Sequence, residues 1–363
     1  MNDAFRIASI AVHPLRPPLK APFRIASGGV DSLENLAVSV RLEGGAVGWG
    51  EISTLPGVTH EDGASARQAA EAEAVLLGGG TILSWRRLAR EMAERRPRDS
   101  SVRAGFEMAI LDALAKQAGL PLFAFLGGAA DTLETDITIP ICPPEEAERL
   151  ARHYRGEGFR TIKVKIGLDL SGDIPRLSAI RRGFPDCRLV LDANAGYTVE
   201  EAFRALAELR AAGMEPALLE QPVAREDWEG MAKLTREAGV PVAADESCRG
   251  PADALRIVRE RAASVVNIKL AKCGVAQALE IAAIAGAGGL GLMVGGMVET
   301  RLAMGFSAHF AAGLGGFDWI DLDTPVLLAE DWISGGPRIR QARYRLDPGV
   351  PGHGGELAPA SPR

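Results

Sequence analysis

Cysteine is scarce and its spacing is uninformative. Cys142, Cys187, Cys248 and Cys273 are scattered, with no CxxC pair. That excludes a disulfide framework and a cysteine zinc site, and fits the reduced thiols of a cytoplasm. The five histidines have no metal-ligand spacing either. No basic run interrupts a chain of net charge −6, so nucleic acid is not an implied partner. Met1–Ile10 lacks the basic-then-apolar pattern of a secretion signal. Long apolar runs are also wanting. Ile281–Val298 goes 18 residues without a charge, the threshold length for a membrane span. It nevertheless contains Gly286, Gly288, Gly289, Gly291, Gly295 and Gly296. It reads as a helix end, a glycine-rich loop and a buried strand, Leu290–Gly295, because parallel barrel strands are continuously apolar. A cytoplasmic protein without membrane contact is the expectation.

What the chain does contain is a repeat. Thr161–Lys165, Arg188–Asp192, Ala217–Glu220, Pro241–Asp245 and Val265–Lys269 are short apolar runs, each closing on one ionisable residue. Those residues are 24 to 28 positions apart, and a helical pattern follows each run. A strand-plus-helix repeat of this period indicates an α/β fold, a (β/α)₈-type, TIM-like barrel, with its site where the strands end. At 363 residues, 47% of them hydrophobic, the chain has material for a barrel and a smaller domain.

The smaller domain comes first. Phe5–Leu15 and Leu36–Gly50 read as strands, the second folded into a hairpin at Gly44-Gly45. Arg16–Asp31 and Glu51–Asp62 read as loops, the former mobile. Ala64–Leu77, Ser84–Arg95 and Ser101–Ala118 have helical period. Residues 1–128 are thus expected to form an N-terminal α+β capping domain, completed by about 325–350. Residues 129–324 form the barrel, and 351–363, rich in Pro and Gly, a poorly ordered tail. The remaining barrel strands fall at Thr135–Ile141, Leu290–Gly295 and Phe317–Asp321. Thr198 and Glu201 form a capping box before Ala202–Arg210.

Strand number fixes position around the mouth. Strands 2 and 6 are opposite in an eight-membered ring, so Lys165 and Lys269 face each other across it. Asp192, Glu220 and Asp245 occupy strands 3, 4 and 5 between them. Three carboxylates there suit one divalent cation, Mg²⁺ rather than zinc, which recruits His or Cys. A substrate carboxylate on that cation puts its α-carbon between the lysines. Removing the α-proton creates an enediolate that needs preorganised positive charge. One lysine takes the proton and the other returns it on the opposite face, which is racemisation or epimerisation. A base requires a lowered pKa. Lys163 shares a face with Lys165 by the period of two, and its ammonium would disfavour a charged Lys165. Strand 8 ends in Asp321-Leu-Asp323. Two carboxylates opposite the cation call for an ammonium group. A molecule with a carboxylate at one end and an ammonium beyond its α-carbon is a dipeptide.

Lys163-Val-Lys165, Asp192-Ala-Asn194, Glu220-Gln221-Pro222, Asp245-Glu246-Ser247 and Asn267-Ile-Lys269, with Ala109–Gly128, resemble the muconate-lactonising subgroup of the enolase superfamily. The resemblance covers nearly the whole chain, and a Lys base working with Mg²⁺ is a known property of that superfamily. Asp321-Leu-Asp323-Thr-Pro is similar to the mark of the dipeptide epimerases, including those acting on L-Ala-D/L-Glu. The resemblance implies that both aspartates hold the substrate's α-ammonium. It also implies that Arg24, in the substrate-capping loop, pairs with an acidic side chain and so favours Glu as second residue. Met297 and Glu299, after strand 7, are further substrate-side candidates. Such barrels commonly form homo-oligomers, and one is expected here.

The same cation site serves N-acylamino acid racemases, o-succinylbenzoate synthases and cycloisomerases. None of these needs an ammonium clamp. A catalytically silent binding protein on the same fold is the alternative from another class. Structural roles also stand beside the chemical ones. Lys163 could simply pair a carboxylate, Asn194 could form a turn, and Glu299 could bridge to Arg301.

Overall fold

The computed structural model describes residues 3–25, 28–55 and 58–359. Its N-terminal part is a three-stranded antiparallel sheet, Ile7–Leu15, Asn35–Leu42 and Val47–Ile52, with Asn35–Leu42 in the centre. The turn at Gly44-Gly45 joins the last two strands, as the hairpin reading requires, and Gly45 takes φ +93°. Helices Gly63–Leu77, Trp85–Arg95 and Ser100–Gln117 follow. The last is buried over most of its length against Val47–Ile52. Two glycines allow that approach. A Cβ at Gly48 would lie 2.0 Å from the Ala109 carbonyl oxygen, and one at Gly50 would lie 2.1 Å from that of Gly105. Strand and helix backbones therefore touch where any side chain would hold them apart.

Eight parallel strands follow in sequential order: Ile137–Ile139, Thr161–Lys165, Arg188–Asp192, Leu218–Glu220, Val242–Ala244, Val265–Ile268, Gly291–Val294 and Phe317–Ile320. The ring closes where the Asp136 N–H donates to the Ile320 carbonyl at 2.9 Å. Thr161–Lys165 and Arg188–Asp192 coincide with their apolar runs, and the other strands are shorter than theirs, several at the starting end. The interior is packed with Val190, Leu218, Ala243, Val265, Met293 and Trp319, the last stacked under the Arg188 guanidinium at 3.7 Å. Helix Val199–Ala211 begins with the Thr198/Glu201 capping box. Among the described residues, no helix is long and apolar enough to cross a membrane.

Two segments differ from the sequence reading. Arg16–Asp31 contains a hairpin, Phe23–Ile25 paired with Gly28–Val30. Its Arg24 carbonyl accepts from the Ile141 N–H at 3.4 Å, which docks the hairpin beside the end of barrel strand 1. Residues 351–359 are built into the fold rather than forming a loose tail. Gly355–Leu357 pairs antiparallel with Ile333–Gly335. The His353 N–H donates to Asp112 Oδ1 at 2.8 Å, and its ring nitrogen Nε2 lies 2.9 Å from the Trp49 carbonyl oxygen. Proline and glycine here shape turns, and specific hydrogen bonds to the first domain hold them. Residues 360–363 lie outside the described residues.

Candidate active site

Register brings the charged strand ends side by side. Lys165 is level with Asp192, and Asp192 with Glu220. The period of two puts Lys163 one layer below Lys165 and Asn267 one layer below Lys269, all pointing inward. Backbone conformation after the acidic residues is unusual. Asn194 and Gln221 take φ +43° and +35°, a region non-glycine residues seldom adopt. Gln221 has a visible function there. Its Oε1 accepts from the Asp245 and Ser247 N–H groups, both at 3.0 Å, and its Nε2 donates to Ser247 Oγ at 2.8 Å. Strand 4 thereby fixes the end of strand 5, where Asp245 stands.

Every expected strand-end residue reaches one buried cluster. Lys165 Nζ lies 2.6 Å from Asp192 Oδ2, and Lys269 Nζ 2.7 Å from Asp245 Oδ2. Lys163 Nζ lies 2.6 Å from Asp321, 2.8 Å from Glu220 and 3.0 Å from Asp192. Lys163 is therefore a bridge between the two acidic groups. Burial opposes its charge, but Asp192, Asp321 and Glu220 outweigh that and hold its pKa well above the ordinary lysine value. It acts as a fixed cation, and part of its charge is spent on those carboxylates rather than on Lys165. Burial likewise opposes charge on Lys269, yet Asp245 holds its pKa above the usual range.

The carboxylates divide by partner. Burial opposes ionisation of Asp192 and Asp245, but Lys163 and Lys165 beside the first, and Lys269 and Lys272 beside the second, keep both well below the ordinary carboxylate range. Glu220 is pushed up to about 7 by burial and then by Asp192, although Asn267 Nδ2 donates to its Oε1 at 2.7 Å. Three buried, hard-oxygen carboxylates on adjacent strands are the donor types a divalent cation takes, and lysine ammoniums lie against all three, Lys165 on Asp192, Lys163 on Glu220 and Lys269 on Asp245. Glu246 Oε2 and Asn194 Oδ1 are buried nearby without hydrogen-bond partners. These oxygens fit a polar shell around a cation and its waters.

Across the mouth a second acidic group gathers. Ligand oxygens of Asp136, Asp321 and Asp323 lie within 4.8 Å of one another. The Thr138 N–H donates to Asp323 Oδ2 at 2.6 Å, while Asp323 Oδ1 and Asp136 Oδ1 have no hydrogen-bond partner. Burial, and then the neighbouring Asp321, raises Asp323 to about 6 and Asp136 well above the ordinary value. Such a trio accepts a cation readily.

Lys163, Lys165, Asp245, Lys269, Met297, Asp321 and Asp323 all line one cavity, of about 40 Å³, together with Phe23, Leu55, Val58, Thr138 and Val298. Two expected substrate contacts are placed elsewhere. Arg24 is ion-paired with Asp31 at 2.5 Å, and Phe23 rather than Arg24 lines the cavity. Successive residues of a strand face opposite sides, so an inward Phe23 turns Arg24 outward. Glu299 does not line the cavity; it hydrogen-bonds Ser53 and accepts from the Met297 N–H at 2.8 Å. Arg301 is ion-paired with Asp331 rather than with Glu299.

Sequence reasoning missed three members. Lys272 Nζ lies 2.6 Å from both Asp245 Oδ1 and the Asp245 carbonyl. Its signal was available, since it stands three residues after Lys269 and so one helical turn on. Asp136 precedes strand 1 with no spacing to mark it. Phe23 belongs to a loop whose direction only the fold reveals.

Residues 145–361 match the enolase C-terminal domain-like family, and residues 7–127 match the mandelate racemase / muconate lactonizing enzyme N-terminal domain. The chain belongs to this enolase-superfamily family. It is 49% identical over 350 residues to an L-Ala-D/L-amino acid epimerase of Populus trichocarpa, covering 95% of this chain and 83% of that protein. It is 44% identical to an aromatic dipeptide epimerase of Herpetosiphon aurantiacus, covering 97% and 99%. A dipeptide epimerase of Enterococcus faecalis, solved with Mg and the dipeptide L-Leu-L-Tyr, superposes with a TM-score of 0.93 at 31% identity, covering 96% and 99%. By this kinship the chain is an isomerase.

Proposed function

We propose that the protein is a Mg²⁺-dependent dipeptide epimerase that works by 1,1-proton transfer between Lys165 and Lys269. The observation that carries this is the pairing of two acidic groups across one mouth. Asp192, Glu220 and Asp245 stand on strands 3 to 5, and Asp136, Asp321 and Asp323 stand where strands 8 and 1 meet. The relative crystallised with Mg and a dipeptide supports the same reading. Asp192, Glu220 and Asp245 would hold Mg²⁺, which supplies positive charge for the carboxylate that becomes an enediolate. Lys165 abstracts the α-proton from one face, and Lys269 delivers a proton to the other; the roles exchange for the opposite epimer. Lys163 keeps its proton throughout and holds Asp321 in place. Asp321 and Asp323 bind the free N-terminal ammonium by charge-assisted hydrogen bonds.

The experiment is deuterium incorporation from D₂O into a dipeptide library with Mg²⁺, read by mass. Free dipeptides should exchange at the α-carbon of the second residue. N-acetylation removes the ammonium proposed to bind Asp323 and to share Asp321 with Lys163, and should lower kcat/KM by about a hundredfold. A chelator should abolish exchange, and Mg²⁺ should restore it. Equal rates for free and N-acetylated substrates would transfer the assignment to the N-acylamino acid racemases.

A further inference from the structure

The directions left open at the substrate's α-carbon indicate which side chain the inverted residue carries; this rests on the dipeptide reading above. As the proton leaves, that carbon becomes planar. Its two faces look toward Lys165 and Lys269, on strands 2 and 6, which lie opposite each other in the ring. Within the plane, the carboxylate points to the cation site on strands 3 to 5. The amide nitrogen leads to Asp321 and Asp323 after strand 8. The third bond must then run along the barrel axis. Downward, the interior is occupied by Lys163 and Asn267, with Val190, Leu218, Ala243 and Met293 below. The side chain therefore rises toward the capping domain.

The wall it meets there is apolar. Phe23, Leu55 and Val58 come from the two capping loops, and Met297 and Val298 from the loop after strand 7. Among the described residues, every one that the capping loops bring to the cavity is uncharged. Phe23 packs against a small cluster of Leu33, Val298 and Leu328, so the wall spans both domains. Arg24 is on the other face of its strand, paired with Asp31 at 2.5 Å.

We propose that the epimerised residue has an apolar side chain, aliphatic or aromatic, and that Phe23, Leu55, Val58, Met297 and Val298 bind it. This replaces glutamate as the preferred second residue. A carboxylate against that wall would be desolvated without a partner, which is costly for a charged group.

The test compares kcat/KM for deuterium exchange of L-Ala-L-Phe, L-Ala-L-Leu, L-Ala-L-Glu and L-Ala-L-Lys, with the Mg²⁺-loaded full chain. The apolar pair should exceed both charged substrates by about tenfold or more. Leu55→Arg, and separately Phe23→Arg, should shift the ratio of Glu to Phe substrates upward by about tenfold. Both positions are only partly buried, so folding is expected to survive, and circular dichroism checks it. Faster exchange of L-Ala-L-Glu or L-Ala-L-Lys by the parent enzyme would overturn the apolar assignment while leaving dipeptide epimerisation intact. Unshifted ratios in both folded variants would overturn the role of the wall. Failure of all four dipeptides to exchange would overturn the dipeptide reading and this inference with it.

Discussion

Lys165 and Lys269 have matching surroundings on the two sides of the site. Lys165 sits on Asp192, which it shares with Lys163. Lys269 sits on Asp245, which it shares with Lys272. In the proposed exchange each base would leave a carboxylate that a second lysine, Lys163 or Lys272, continues to hold. Loss of one lysine should abolish epimerisation, by about a thousandfold or more, because a positioned general base typically contributes 10²–10⁴. The surviving lysine should still exchange the α-proton of one epimer. Lys269→Ala and Lys165→Ala should therefore exchange opposite epimers, as read by NMR in D₂O on each pure dipeptide. If both variants exchanged the same epimer, the two lysines could not lie on opposite faces. Much of this site was legible in advance. An apolar strand that ends on one charged residue is conspicuous, and parity along the strand sends that residue inward. Arg24 was misplaced for the same parity reason. Whether Phe23 or its neighbour points inward depends on how the hairpin docks, and no alternation within three residues fixes that.

At the scale of elements, the two domains are joined by buried polar contacts. Glu107, on the long helix Ser100–Gln117, reaches the start of helix Val275–Ala287 and accepts from the Ala276 N–H at 2.7 Å. Burial raises its pKa to about 7, against the opposing effects of that N–H and of Arg103. A carboxyl whose folded pKa exceeds its unfolded value binds its proton more tightly in the native state. Its contribution is complete below about pH 4.5 and is lost as pH rises toward about 7. The shift corresponds to at most about 3 kcal/mol across that window. Glu107→Gln keeps a neutral acceptor for the Ala276 N–H. In urea melts between pH 4.5 and 8, the variant should lose this component of the pH dependence and match or exceed the parent above pH 7. An identical pH profile in both proteins would mean that Glu107 ionises freely. The element boundaries themselves were readable because caps and periods are local, as at Thr198 and Glu201. The contact between Glu107 and Ala276 was not, since it joins residues 169 apart with no pattern linking them.

The whole molecule depends on the segment after Val350 returning to its first domain. Composition alone suggested otherwise, because Pro and Gly after residue 347 resemble a loose end. Instead, Asp112 on the long helix collects four groups. The Trp49 and His353 N–H groups donate to it at 2.9 and 2.8 Å, Lys116 Nζ lies at 2.7 Å, and His353 Nε2 lies at 3.4 Å. Burial keeps the His353 ring neutral, with its pKa lowered. Nδ1 accepts from the Gly355 N–H at 3.1 Å, which assigns the ring proton to Nε2 and directs it at the Trp49 carbonyl. One histidine thus ties the C-terminal segment to the edge strand of the capping sheet and to the helix behind it. The same segment completes the strand pair Ile333–Gly335 with Gly355–Leu357, and the Ile333 carbonyl accepts from Arg301 at the start of the last barrel helix. Truncation after Val350 removes these bonds together and uncovers a buried aspartate. The expected loss is about 3 kcal/mol or more, since several buried hydrogen bonds and a strand pair go together while only Lys116 and the Trp49 N–H stay on Asp112. His353→Ala alone should cost about 2 kcal/mol. Both can be read from denaturant melts of the two variants beside the parent. At a temperature where the variants remain folded, the lysines and carboxylates are untouched, so kcat should fall far less than stability does. A truncated chain as stable as the parent would show that the segment merely rests on the capping domain.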